Sequence, residues 1–378
     1  MRVLVVGGAG YVGGAVTDLL LQSGYEFRVY DALLYEESYR KEVDFVYGDV
    51  RDERRLMPQL EWAEAVVWLA ALVGDAACQL SPDVSAGINQ APVRWLADNY
   101  DGRIIFTSTC SVYGAHDDSL LDEEAPTNPL SVYAATKLAA ENYLADKNAI
   151  IFRLATLFGV GDQFSRIRLD LVVNTLTMAA YQRGKISVFG GDQSRPLLHV
   201  RDVARAVVAN LRTDTTGVFN LHRENVRIAD LACQVWNHFP DIVIERSQAK
   251  YRDTRNYRVS SEKARLAFGF SPAYSIDDGI EELKTLLESG RLRRLDNPRY
   301  VNHAFLSQYN THQIVAGAPG AVMASPFGRT ARLSHSRSPL HASAIGGPAV
   351  PARAKSDVGG AERFCGRKTK APISQAGP

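Results

Sequence analysis

Tyr133 and Lys137 stand four residues apart in PLSVYAATKLAAENYL, a stretch rich in Ala and Leu that reads as helix. At that spacing the two side chains share one helix face, a turn apart. A phenol with an ordinary pKa of about 10 is a poor base at neutral pH. A neighbouring cation favours the phenolate and lowers that pKa. The pair therefore suits removal of a hydroxyl proton while a hydride leaves the same carbinol. A solvated stripe on a helix surface uses the same spacing, and SVYAATK alone leaves both readings open.

A second candidate lies near the start of the sequence, where VLVVGGAGYVGGAVTDLL joins an apolar run to a helical one through glycines. Gly7, Gly10 and Gly13 give a GxxGxxG spacing. Such a turn needs residues without Cβ, partly so that a pyrophosphate can approach the backbone. The following helix, opening on Tyr11 and Val12, would point unpaired N–H groups at that charge. Asp31 ends the next apolar run. An acid there accepts hydrogen bonds from the adenosine ribose hydroxyls and repels a 2′-phosphate, which favours NAD over NADP. GDVRD follows the third run, and its Asp49 and Val50 are placed to flank the adenine. A structural turn with a surface Asp is the competing reading.

These groups need a scaffold. RVLVV, FRVYD, DFVYG, AVVWLA, RIIFTS and AIIFRL read as strands, and YVGGAVTDLLLQSG, RDERRLMPQL, SPDVSAGINQAPVRWLADN and the Tyr-Lys stretch as helices between them. This alternation predicts an α/β fold, a Rossmann-like doubly wound parallel sheet. After Gly159 the rhythm loosens, with short strands (ISVFG, GVFNLH, DIVIER) among helices such as RDVARAVVANL, RIADLACQVWNHF and IDDGIEELKTLLES. Residues 1–160 are therefore expected to form the NAD-binding domain carrying the catalytic residues. Residues 161–309 are expected to form mainly a smaller α/β substrate lobe. No internal repeat is visible.

Of 378 residues, 46% are hydrophobic and 22% charged, enough for a large core. No run approaches the roughly 18 apolar residues of a membrane span, and MRVLVVGGAG is too short for a secretory apolar region. Cys78, Cys110, Cys233 and Cys365 form no CxxC pair, so neither a disulfide frame nor a metal site is expected. A cytoplasmic location follows as an expectation. The net charge of +1 conceals an asymmetry: nine Lys/Arg and two Asp/Glu after Asn310 leave 34 against 40 in residues 1–310. That acidic body argues against nucleic-acid binding. Residues 310–378, dominated by Ala, Gly, Pro, Ser and Arg, are expected to be a disordered basic tail.

Taken together, GGAGYVGG, Asp31, GDVRD, WLAALVG, FTSTCSVYG, YAATK, RLATLFG, ISVFGG and RPLLHVRDVA make the chain resemble the extended short-chain dehydrogenase/reductases, specifically the nucleotide-sugar epimerase and dehydratase family. The resemblance runs from Met1 to about Leu287. It implies catalytic roles for Tyr133, Lys137 and Thr109, with Thr109 hydrogen-bonding the sugar hydroxyl and Lys137 holding the nicotinamide ribose. It implies that Leu69, Ala70 and Ala71 pass along NAD, and that Asn89 is structural. Asn174, Phe189, Arg195 and Arg252 match positions where relatives hold the nucleotide diphosphate, arginine gripping two phosphate oxygens at once. Arg255 rivals Arg252, because the register slips there. A core Phe and surface arginines are the competing reading. A nucleotide-diphosphate sugar is the implied partner and a homodimer the implied assembly.

The segment after Thr109 bears on the reaction. In sugar 4,6-dehydratases it resembles Thr-Asp-Glu, and sugar-acid decarboxylases keep a Glu at the second of those positions. Here the places hold Cys110 and Ser111, without that carboxyl pair. Epimerases acting at C3 and C5 carry a Cys two residues before the Tyr of the Tyr-Gly step. Here Ser111 is two before Tyr113 and Cys110 three. The resemblance thus implies an NAD-dependent 4-epimerase working through a transient 4-keto sugar. A net nucleotide-sugar oxidoreductase and a non-enzymatic NAD-binding regulator stay open. Thr156 stands where many 4-epimerases carry Asn, which bears on the sugar pocket.

Overall fold

The computed structural model describes residues 1–116, 119–162, 164, 166–247, 256–292, 294–308 and Cys365. The nucleotide-binding half opens with β1 (Arg2–Val6), α1 (Tyr11–Gln22), β2 (Glu26–Asp31), β3 (Asp44–Tyr47), α2 (Glu53–Trp62) and β4 (Ala65–Trp68). It continues through α3 (Asp75–Gln79), α4 (Pro82–Asn89), α5 (Ala91–Asn99), β5 (Arg103–Thr109), β6 (Leu120–Leu121), α6 (Val132–Tyr143) and β7 (Ala149–Leu154). Next come β8 (Thr156–Phe158), α7 (Val172–Arg183), β9 (Lys185–Phe189), β10 (Ser194–His199), α8 (Val200–Ala209), β11 (Gly217–Leu221) and β12 (Glu224–Arg227). The chain ends its described part with α9 (Ile228–His238), β13 (Val243–Ser247), β14 (Arg258–Val259), α10 (Glu262–Phe268), α11 (Ile276–Glu288) and α12 (Asn302–Gln308).

Seven parallel strands form the main sheet in the order β11-β7-β5-β4-β1-β2-β3. Its strands are covered on both faces, so they read as unbroken apolar runs rather than alternating ones. In β1, Val3 and Val5 pack with Val16 of α1 and Val203 of α8. Leu4 and Val6 point the other way, towards Leu96 of α5 and Ala140 of α6. The order reverses between β1 and β4, which opens a crevice at the carboxyl ends of those strands. Gly7, Ala70 and Asp31 all lie at that end. A second core joins α7, β9, α9 and α11 through Val173, Ile186, Leu231 and Ile280.

Three expectations change. β11 and α8, read from sequence as parts of the smaller lobe, belong to the main sheet and its covering layer, because Phe219, Leu221, Val203 and Val207 are needed in that core. The sheet thus draws on residues from both sides of the boundary expected at 160. The helix expected through SPDVSAGINQAPVRWLADN is two helices, divided at Gln90. Pro92 lacks the N–H that a continuous helix would require. Finally, Cys233 on α9 is disulfide-bonded to Cys365, 132 residues away, a separation at which no local motif marks a pair. Apart from Cys365, the expected basic tail from Asn310 onward lies outside the described residues. Among the described residues no helix is long and apolar enough to cross a membrane, and no His, Cys, Asp or Glu cluster could hold a metal ion.

Candidate active site

The glycine turn is built by close backbone approach. Gly7 has φ 87°, and a Cβ there would lie 2.4 Å from the Ala70 nitrogen at the end of β4. A Cβ on Gly13 would meet the Gly8 carbonyl oxygen at 2.5 Å. Both glycines are demanded by the protein's own packing. At Gly10 a Cβ would meet the Gly7 carbonyl at 3.3 Å, a looser fit. Gly10 is the N-cap of α1 and gives its first amides no side-chain acceptor. Those amides, from Tyr11, Val12 and Gly13, face the crevice mouth as an anion site would. The residues fit a dinucleotide pyrophosphate.

Asp31 closes the turn from the other side. Its Oδ2 accepts the Ala9 N–H at 3.0 Å and its Oδ1 the Leu33 N–H at 2.7 Å. Burial pushes this carboxyl up, and the backbone hydrogen bonds oppose that. A carboxylate has about four acceptor sites, which leaves room for a ribose hydroxyl beside these backbone donors. Asp49 is held by Arg51, with Nη2 to Oδ2 at 2.6 Å. Burial alone would raise its carboxyl, but the Arg51 hydrogen bonds and charge outweigh it and hold the group low. An adenine beside Asp49 and the buried Val50 would therefore meet backbone and apolar surface. Leu69 and Ala70 both donate to the Val6 carbonyl, at 2.8 and 3.0 Å, and carry the chain past Gly7 into Ala71.

Helix α6 brings Tyr133 and Lys137 to the end of β5. Its N-cap Ser131 accepts the Ala134 N–H and donates to Asp75 Oδ1 at 2.6 Å, which fixes where the helix starts. Lys137 is 2% exposed; its ammonium donates to the Thr107 carbonyl at 2.8 Å and lies 4.7 Å from the Phe106 ring centre. Burial pushes it down to about 8. The Tyr133 phenol is pushed up, chiefly by burial and then by Cys78 and Asp75. Arg168 and a hydrogen bond with the Thr109 side chain oppose this. Arg168 is thus a further cation that works against the rise of the phenol. The Lys137 charge is anchored on a carbonyl of β5. Thr109 Oγ1 also accepts the Ser111 N–H at 3.1 Å.

The strand end after Thr109 turns inward. Cys110 is fully buried, its thiol donating to the Arg153 carbonyl at 3.1 Å, and burial pushes that thiol up. Behind it, Arg153 pairs with Glu141 of α6 at 2.7 Å and donates to the Tyr113 hydroxyl at 3.0 Å. Ser108 donates to the same Glu141. Asn89 is structural as expected: its amide brackets the Leu72 backbone, accepting at 2.7 Å and donating at 2.9 Å.

The model of the NAD dependent epimerase/dehydratase family matches residues 3–221, which hold the glycine turn, Thr109, Tyr133 and Lys137. The chain belongs to that family. NAD is accordingly its cofactor. The chain is similar to the UDP-glucose 4-epimerase of Corynebacterium glutamicum, 27% identical over 319 residues, covering 76% of this chain and 94% of that protein. It is also similar to the dTDP-glucose 4,6-dehydratase of Streptomyces niveus, 26% identical over 319 residues, covering 75% and 91%. Among solved structures, the UDP-glucose 4-epimerase of Thermus thermophilus in complex with NAD superposes with a TM-score of 0.66 at 22% identity, covering 75% and 99%. The likeness establishes the family and fold and spans two reactions.

The remaining residues expected to bind substrate in this epimerase/dehydratase chain are scattered. Asn174 is fully buried, and its amide is committed to backbone: it accepts from Gly159 N and donates to the carbonyls of Gly159 and Arg168, the last at 2.8 Å. As placed it braces the loop after β8. Arg195 in β10 is 6% exposed and donates to the Ser194 carbonyl at 2.9 Å. Phe189 ends β9, beside Ser247 of β13. Arg252 and its rival Arg255 lie outside the described residues. Thr156 starts β8, paired with Leu197.

Sequence reasoning missed the Arg168–Asp170 pair, joined by two hydrogen bonds of 2.9 and 3.0 Å. Asp170 is held low: burial would raise it, but Arg168 outweighs that. It also missed Lys41, buried and paired with Asp162 and with Asp18, which ties α1 to the loop following β8. The alternating charges of RIRLD were the available signal. By itself such alternation marks a solvated strand as readily as a site.

Proposed function

We propose that this chain is an NAD-dependent nucleotide-sugar epimerase that inverts C4 of its sugar. Cys110 carries the choice of reaction. Where the dehydratases it resembles place an acid pair, this strand end has a thiol turned into the core and bonded to the Arg153 carbonyl. Ser111 follows it and offers no carboxyl. A ketone formed here meets no acid from that segment to divert it towards loss of water.

NAD, when bound, supplies the hydride acceptor at C4 and the means of returning that hydride to the opposite face. The chain's own residues handle the proton. Tyr133 takes it from the 4-hydroxyl and gives it back, with Thr109 proposed to orient the same hydroxyl. Arg168 works against the burial that raises the phenol. Lys137, its charge anchored on β5, is suited to hold a ribose hydroxyl. Asp31 offers its remaining lone pairs to the adenosine ribose. Arg195, with Phe189 and Arg252, is proposed for the nucleotide diphosphate.

Purified protein incubated with a panel of nucleotide sugars and no added NAD should yield the C4-inverted sugar by NMR. A product lacking water, or no product without added NAD, would defeat the reading. A homodimer and a cytosolic location complete the proposal. The Cys233–Cys365 disulfide argues the other way on location, since such bonds persist in oxidising surroundings. Thiol titration of protein recovered from cells separates the two.

A further inference from the structure

Helix α12 follows the smaller lobe in sequence yet packs on the nucleotide-binding half. Phe305 and Leu306 share an apolar cluster with Leu72 and Cys78, and Tyr133 packs against that cluster. The Phe305 ring lies 5.0 Å from that of Tyr35. The turn leading into the helix is equally committed. The Arg299 carbonyl accepts from Arg166 Nε and Nη2 at 3.0 and 2.6 Å, and the Tyr300 carbonyl accepts the Leu169 N–H at 2.9 Å. Asn302, the first residue of the helix, makes two further bonds. Its backbone N–H donates to Asp170 Oδ2 at 2.9 Å, and its Nδ2 donates to the Val73 carbonyl at 2.7 Å. Residues 299–306 lie beyond the 3–221 matched by the family model.

We infer that Asn302 is a positioning residue for the reaction, tying the loop after β4 to the Arg168–Asp170 pair beside the apolar cluster on which Tyr133 packs. The inference rests on the epimerase reading of the site. Asn302 is 1% exposed, and its Oδ1 has no hydrogen-bond partner among the described residues. A buried acceptor left without a partner costs stability, and an apolar residue here would avoid that cost. Its amide is therefore better explained by what it holds than by core packing. The tie joins two loops, one following β4 and one between β8 and α7. Charges acting on Tyr133 come from Asp75 and Cys78 on α3 and from Arg168, with the Thr109 side chain at the end of β5 and Lys137 on its own helix. The first two raise the phenol and Arg168 lowers it, so loosening Arg168 must move the phenol upward.

Two variants of the full chain separate the bonds. Asn302→Ala removes the link to Val73. Asn302→Pro also removes the N–H to Asp170, and proline suits the first position of a helix after an extended residue such as Val301. With a nucleotide sugar that the wild type turns over, both should lose turnover by about ten- to hundredfold, the scale of a small misplacement at a reacting centre. Substrate KM should change little. The Pro variant should also shift the rising limb of its pH–rate profile, where the phenol loses its proton, to higher pH. Hydrogen–deuterium exchange should speed up at residues 72–78 and 166–170 and stay as in wild type elsewhere. Unchanged turnover in both variants, an unshifted limb in the Pro variant, or exchange that rises uniformly with a falling melting temperature would overturn the assignment. A wild-type protein that neither binds NAD nor turns over a sugar would defeat the functional reading alone, because the exchange measurement still judges the tie.

Discussion

Burial holds the Lys137 ammonium at about 8 against its usual 10.5, and this has a consequence for folding. Between those values the unfolded chain keeps the proton and the folded chain releases it, so stability rises with pH across that window. Below about 8 both states are protonated and the full cost of burying the charge is present. Lys137→Met should therefore show a flatter stability curve than wild type from pH 8 to 10.5, measured by urea denaturation. Parallel curves would mean the ammonium is better solvated than its burial suggests. Tyr133→Phe tests the chemistry. It removes the phenol that moves the proton, so turnover should fall by about 10²–10⁴-fold with NAD binding and folding retained. Activity within tenfold of wild type would sink the assignment. Asp31→Ala should weaken NAD and relax discrimination against NADP, read by fluorescence titration of both dinucleotides. A wild type that already prefers NADP would contradict the role given to Asp31. The glycine turn, Asp31 and the Tyr133–Lys137 pair could be picked out as candidates because short-range spacing carries them, and Thr109 only through the resemblance. Arg168 could not, since its pairing with Asp170 gains meaning only from a fold that brings Asn302 back to that pair.

At the level of elements, α6 is held in place from behind. The Glu141–Arg153 pair joins it to β7, with both side chains less than a tenth exposed. Removing one member leaves the other charge buried and uncompensated, which typically costs about 3–5 kcal/mol. Glu141→Gln should lower unfolding stability by that order, and a loss below about 1 kcal/mol would show that α6 is anchored elsewhere. The strands from β1 to β7 were readable as apolar runs bounded by turns. β11 was read as a strand but placed in the wrong layer, because GVFNLH carries no mark of which sheet it will join. The break at Gln90 was missed because helical periodicity continues through it, although Pro92 was the available warning. Helix α12 is seven residues long, too short for its pattern to announce that Asn302 and Phe305 return to the site.

For the whole molecule, the central claim is that hydride leaves C4 and returns to the same carbon on the other face. The crevice at the β1/β4 switch point, the NAD family and the inward turn of Cys110 all bear on it. A deuterium label at C4 of the nucleotide sugar reads it directly. After inversion the label should remain at C4, with no NADH absorbance accumulating and no requirement for added NAD. Stoichiometric NADH release, or loss of the label to solvent, would contradict the account and move the protein to a net dehydrogenase or to epimerisation beside the ketone.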